Sequence, residues 1–139
     1  MANNFAAAIK GVVTELKGVR DSLTLSYQNT LYDIGSTLVY YTPIKTGKAS
    51  SNWNVTSASK SYNIREPVSG EKGLSSLTAI SYQVQGIDAG ETATFYNPVE
   101  YIEDLENGYS RQAPSGMVTP TMPNIEDIWI SNLRKNKVI

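Results

Sequence analysis

The residues whose chemistry stands out are four carboxylates in one short run, Glu100, Glu103, Asp104 and Glu106. Carboxylates this close can serve as metal ligands or as a general acid–base pair, and Glu100 and Asp104, four apart, would share one face of a helix. The rest of the chain does little to support such a site. It contains no histidine and no cysteine, which removes the commonest general base and metal ligand together with all thiol chemistry. No second acidic cluster stands at ligand spacing, so the run reads as the solvated face of a short helix. The nearby glycines, Gly108 and Gly116, lack the spacing and the Lys-Ser/Thr pair of a phosphate-binding loop. Nine tyrosines could stack on single-stranded nucleic acid, but most fall at core-facing or strand positions. No catalytic residue, cofactor site or metal site is expected.

The acids belong to the stretch around which the chain is organised, residues 97–118. Asn97-Pro98 closes a strand-like run and is expected to open a helix, because proline at the first helical position loses no useful donor. Val99, Ile102 and Leu105 then share one face, with the acids covering the remainder. Asn107-Gly108 ends the helix, Gly108 being free to take the left-handed conformation of a C-terminal cap. Residues 109–117 are polar and small, are punctuated by Pro114 and Gly116, and read as a loop. An acidic helix joined to such a loop suits docking better than catalysis. With no helix or strand to satisfy its backbone groups, the loop is expected to be mobile in an isolated subunit and to order against another one. Arg111 is the expected polar anchor, Gln112 a second directional donor, Met117 an adaptable apolar contact and Pro114 a restraint that lowers the ordering cost. The alternative is a loop folded back on its own domain with Met117 in the local core.

Upstream, Phe5, Ile9, Val12, Leu16, Val19, Leu23, Tyr27, Leu31, Ile34, Leu38 and Tyr41 follow one another in steps of three or four, the period of one helical face. This predicts one long or once-broken helix over 5–41, with Ser22 the candidate break because 22–27 also alternates like a strand. Gly11, Gly18 and Gly35 each weaken it by about 1 kcal/mol relative to alanine. Its apolar stripe is longer than the remaining chain can easily cover, which points to oligomerisation. Thr42-Pro43 stops the helix. Ala49, Trp53 and Val55 then predict a strand of about eight residues. A basic loop follows at 57–73, read either as a solvated hairpin with a short strand at Tyr62-Asn63-Ile64 or as an arm reaching a partner or DNA. Leu74, Leu77, Ile80 and Val84 predict a second helix ending near Gly86. The residues from Glu91 to Tyr96 predict a strand antiparallel to the one near Trp53. Pro120 and Pro123 are expected to delay the last helix to Asn124, after which Ile125, Ile128, Trp129 and Leu133 form its face. The expected fold is a single α+β domain over 1–139: a long N-terminal helix and a C-terminal helix packed on a small antiparallel sheet.

The net charge of −1 does not fit a dedicated DNA binder. Its distribution is uneven. Lys45, Lys48, Lys60, Arg65 and Lys72 against Glu66 and Glu71 leave +3 between 42 and 75, whereas Asp88, Glu91 and the four acids of the helix leave −6 between 76 and 110. The two blocks could pair within a subunit or between neighbours, or be two solvated faces. No apolar run reaches the roughly 20 residues of a membrane span, and no signal peptide is evident, so a soluble protein of the cytoplasm is expected.

Two blocks carry a resemblance. The run 101–118, Tyr-Ile-Glu-Asp-Leu-Glu-Asn-Gly-Tyr-Ser-Arg-Gln-Ala-Pro-Ser-Gly-Met-Val, resembles the signature of a tailed-bacteriophage family of neck or tail-completion proteins, of the type called minor tail protein Z. The run 42–48, Thr-Pro-Ile-Lys-Thr-Gly-Lys, followed by Trp53, is similar to the family's Thr-Pro-x-x-Thr-Gly-basic pattern with an aromatic residue five or six places on. Lys45 departs from the acidic residue common there. The resemblance implies a virion protein of the head–tail junction, assembled in the host cytoplasm as a homo-oligomeric ring of six around the DNA channel. DNA would pass through its lumen without sequence-specific binding. Its neighbours would be a head-closure or connector protein on one side and the tail tube or tail terminator on the other. On this reading Tyr109, Arg111, Gln112, Pro114, Met117, Glu103, Asp104, Lys45 and Lys48 are the candidate subunit and ring contacts. The rival within the class is the tail terminator itself. The rival from another class is a small cytoplasmic enzyme or regulator working with carboxylates.

Overall fold

The computed structural model describes residues 2–67 and 72–139. The chain is α+β: a long N-terminal helix and a C-terminal helix accompany a two-stranded antiparallel sheet. Helix α1 runs unbroken over Ala2–Tyr41, a span of about 60 Å at 1.5 Å per residue. Ser22 is helical, so the alternating pattern there makes no break. Only the second half of α1 belongs to a core. Leu31, Ile34, Leu38 and Val39 are buried, and Gly35 lets the next helix approach so closely that a methyl group there would lie 2.8 Å from Ile80 Cδ1. Thr42 closes the helix, its hydroxyl donating to the Leu38 carbonyl at 2.6 Å and accepting from Trp53 Nε1 at 2.8 Å.

Strands β1 (Asn54–Thr56) and β2 (Thr94–Tyr96) pair antiparallel, with Val55 opposite Phe95. Both are shorter than their apolar patterns predict. Residues 47–52 wind into a turn instead, with Ser51 N donating to the Gly47 carbonyl and Asn52 N to that of Ala49. Helix α2 (Leu74–Gln83) continues as a 3₁₀ turn over Val84–Gly86, ending where the sequence predicts. Gln83 at its end covers the free edge of β1, accepting from Val55 N at 2.9 Å and donating to Asn54 Oδ1 at 2.9 Å. Ile80, Val84 and Ile87 complete a core with Trp53, Val55 and the α1 residues.

Helix α3 occupies only Ile102–Glu106, four residues later than Pro98 implies. The Asn97 side chain accepts from Val99 N at 3.1 Å, and Ile102 N donates to the Val99 carbonyl, so 97–101 form a turn rather than a first helical turn. Short helix α4 (Val118–Thr121) and a 3₁₀ turn (Met122–Asn124) lead into α5 (Ile125–Lys135), so helical structure begins six residues before the expected start at Asn124. Pro120 is tolerated because it sits in the first turn of α4, where its missing N–H is not needed. The C-terminal helix lies chiefly along α1 rather than on the sheet. Its seam is polar. Asn132 Nδ2 donates to Thr30 Oγ1 at 3.1 Å and to Asp33 Oδ2 at 3.0 Å, and Asn136 Nδ2 donates to Ser26 Oγ at 3.1 Å. Trp129 meets Tyr27 edge-to-face at 6.2 Å.

Candidate functional site: a two-block groove and a free helical arm

The two sequence blocks that carry the family resemblance, far apart in the chain, lie against each other. Ile44 N donates to Gln112 Oε1 at 2.9 Å, and Lys48 Nζ stands 3.8 Å from Glu100 Oε1. Between them lies an open groove of about 690 Å³, walled by Pro43, Lys45, Thr46 and Gly47 on one side and by Tyr101, Leu105, Tyr109 and Arg111 on the other. Lys45 and Arg111 are exposed, Tyr109 is 77% exposed, and no carboxylate lines the groove. Such a lining suits an acidic or amide-rich segment laid over an aromatic floor.

The shape of this wall comes from residues 106–119. Gly108, at φ +85°, and Tyr109 close α3 through backbone donation to Leu105 and Asp104, the Schellman arrangement that Asn107-Gly108 announces. A side chain at Gly108 would strike the Pro114 carbonyl, and one at Gly116, φ +78°, would strike the Glu106 carbonyl. The two ends of the loop are thus pressed together. Glu106 holds them there. Its Oε2 accepts from Met117 N at 2.7 Å and Val118 N at 2.9 Å, and its Oε1 from Thr119 N at 3.2 Å, so that one carboxylate satisfies the free amides that open α4. Burial alone would raise the pKa of this acid; the hydrogen bonds from Val118, Met117 and Thr119 outweigh that and hold it below the usual carboxylate range.

These contacts correct several expectations. Loop 109–117 is folded on its own domain: Ala113 N donates to the Ser110 carbonyl, Gly116 N to that of Ala113, and Gln112 N to Ser110 Oγ. Met117 is fully buried in the core, so it is no adaptable surface contact. The Gln112 side chain is used inside the molecule, on Ile44. Glu106 is a structural cap and not part of a solvated face. Tyr109, Arg111 and Pro114 remain exposed, as do Glu103, Asp104 and Lys45. Lys48 pairs with Glu100, a contact between the basic and acidic blocks within one subunit. Among the described residues no group of three or more acids could hold a metal ion. No helix among them is long and apolar enough to cross a membrane.

Within the expected basic loop 57–73, residues 68–71 lie outside the described residues. The described part contains no strand at Tyr62-Asn63-Ile64, and Arg65 points inward. Its Nε, Nη1 and Nη2 donate to the Ser51 carbonyl, Asn54 Oδ1 and the Trp53 carbonyl at 2.8, 2.7 and 2.7 Å, while its backbone exchanges two hydrogen bonds with the Asn52 side chain. Desolvation lowers the pKa of this guanidinium below the usual arginine value. Nothing in its local sequence marks Arg65 as different from the other bases of the loop. For Glu106 a signal was present: an acid in the last turn of a helix opposes the dipole and needs a partner elsewhere.

The second feature is the first half of α1. Every side chain from Asn4 to Asp21 is exposed, including Phe5 at 70% and Leu16 at 63%, with Ile9, Val12, Val13 and Val19 between them. Gly11 and Gly18 have nothing within 4 Å of where a side chain would be. About 20 Å of helix, residues 4–16, therefore extends beyond the domain, while Lys17, Arg20 and Asp21 line a cleft with Asp88; the apolar stripe through Val19 is uncovered. No family model, no characterised protein and no solved structure matches this chain.

Proposed function

We propose that this chain is a structural subunit of the head–tail junction of a long-tailed phage, assembling as a ring of six around the DNA channel between the head-closure or connector protein and the tail tube or terminator. The observation that carries the assembly part is the helical arm 4–21, whose apolar stripe has no covering surface in its own domain. Exposed apolar surface of this extent marks an interaction site. The phage part rests on the resemblance of 42–48 and 101–118. It is supported by the meeting of those two blocks in one groove with exposed Lys45, Tyr109 and Arg111 at its rim. In a ring each subunit offers different surfaces to its two neighbours, and arm and groove are two such surfaces on one chain.

The test is particle composition. Mass spectrometry of purified virions should find the chain at several copies per particle, and particles made without it should accumulate as separate filled heads and tails. Its absence from virions, or joined particles in its absence, overturns the reading. Accumulation of tails of uncontrolled length would instead place it at the tail terminator.

A further inference from the structure

We propose that, away from any particle, two copies of this chain pair through their N-terminal arms, antiparallel and about a twofold axis. The inference concerns the unassembled chain and does not depend on the head–tail reading. The seam residues Phe5, Ile9, Val12, Leu16, Val19 and Leu23 step 4-3-4-3-4, the spacing of a two-helix packing seam. At 3.6 residues per turn they fall within about 80° of one another and point the same way as Ile34, which is buried in the core. The arm's stripe is therefore the continuation of the face that the domain covers from about Tyr27 onward. A parallel partner laid on that stripe would run into the first copy's domain. An antiparallel partner avoids this, because each domain then lies beyond the tip of the other arm.

The stripe is complementary to itself in that direction. Ile9 meets Val19 of the second copy, Val12 meets its Leu16, and Phe5 reaches the half-buried Leu23 at the edge of the other domain. Val13 meets its own counterpart across the axis, and Gly11 and Gly18 lie on the outer side, away from the contact. From their exposures, the six large apolar side chains between Phe5 and Val19 offer roughly 700 Å² per arm, so two arms approach the lower half of the 1,200–2,000 Å² typical of specific interfaces. Pairing also stabilises a helix that contains two glycines and is exposed throughout 4–21. Glu15 faces Glu15 on one flank. That like-charge contact is weakly unfavourable, whereas a parallel pair would set Glu15 against Arg20. A closed pair uses the arm surface on both copies, so the pair must open before a ring of identical, heterologous contacts can close.

The experiment uses the purified 139-residue chain alone. Light scattering and sedimentation should show a concentration-dependent dimer, and Leu16→Asp should give a monomer with the same near-ultraviolet circular dichroism. Because the chain has no cysteine, orientation can be read by disulfide trapping. Ile9→Cys mixed with Val19→Cys should cross-link between the two variants, while Ile9→Cys alone should not. Glu15→Gln should tighten the pair about twofold. A wild-type monomer at 100 μM total chain, on the order of the weakest specific complexes, overturns the proposal. So does self-cross-linking of Ile9→Cys, a loosened dimer in Glu15→Gln, or a dimer unaffected by Leu16→Asp. None of these outcomes bears on whether the chain is found in virions.

Discussion

Replacing Glu106 by alanine should loosen the whole segment that forms one wall of the groove. The carboxylate receives the amides of Met117, Val118 and Thr119 and the Thr119 hydroxyl at 3.2 Å. Val118 and Thr119 are exposed, so water can replace their partner at small cost. Met117 is fully buried, and its amide loses a charged acceptor. Loss of a helix N-terminal cap costs about 0.5–2 kcal/mol and a hydrogen bond to a charged group about 1.5–3 kcal/mol, with the two overlapping here. The expected destabilisation is about 2 kcal/mol, a fall in Tm of about 7 °C for a domain of this size. Glu106→Gln keeps an acceptor but loses the charge, and should cost about half as much. The pH dependence follows from the lowered pKa. A carboxylate whose folded pKa is depressed contributes fully above its unfolded value, near 4.5, and loses that contribution as pH falls through the folded pKa. The gap between wild type and Glu106→Ala should therefore be constant from pH 7 to about 5.5 and shrink below about pH 4.5. Thermal melts across pH, with hydrogen exchange at 116–119, measure both effects. An unchanged Tm, or a gap that widens toward low pH, would refute the capping role.

Arg65→Lys should cost about 2 kcal/mol in urea denaturation, because an ammonium cannot span the Ser51, Trp53 and Asn54 acceptors that the guanidinium fork reaches together. Gly108→Ala should cost about 3 kcal/mol, combining a left-handed backbone with a collision against the Pro114 carbonyl, and its melting curve should show this at neutral pH. Reversing Glu103 and Asp104 to lysine should leave the stability of the isolated chain within about 0.5 kcal/mol, since both are exposed, while weakening the ring proposed above in a salt-dependent way. Rings formed equally well by that variant would leave these two acids as solubilising surface.

Local patterns were readable here wherever the deciding contact lies within a few residues. Asn107-Gly108 marks a helix end because its hydrogen bonds reach back only to Asp104 and Leu105. The apolar period marks α1, since a face repeats every turn regardless of what covers it. For the same reason the period could not separate Leu31, Ile34 and Leu38, which have a core around them, from Phe5, Val12 and Leu16, which have none. Alternation near Trp53 predicts too long a strand because it says nothing of the turn at Gly47 that takes up Ser51 and Asn52. The roles of Arg65 and Glu106 are not legible locally because their partners lie 11 to 14 residues away. In both cases a charged side chain gathers backbone groups of an irregular segment that has no ladder of its own, Arg65 holding the carbonyls before β1 and Glu106 the amides before α4. A loop that looks free by composition can thus be as fixed as a helix when one charge of the right sign lies within reach. Residues 109–117 meet that condition through Glu106, and the arm 4–21, regular throughout, does not. The groove wall is consequently held in place by its own domain, while the apolar stripe of the arm is left uncovered by it.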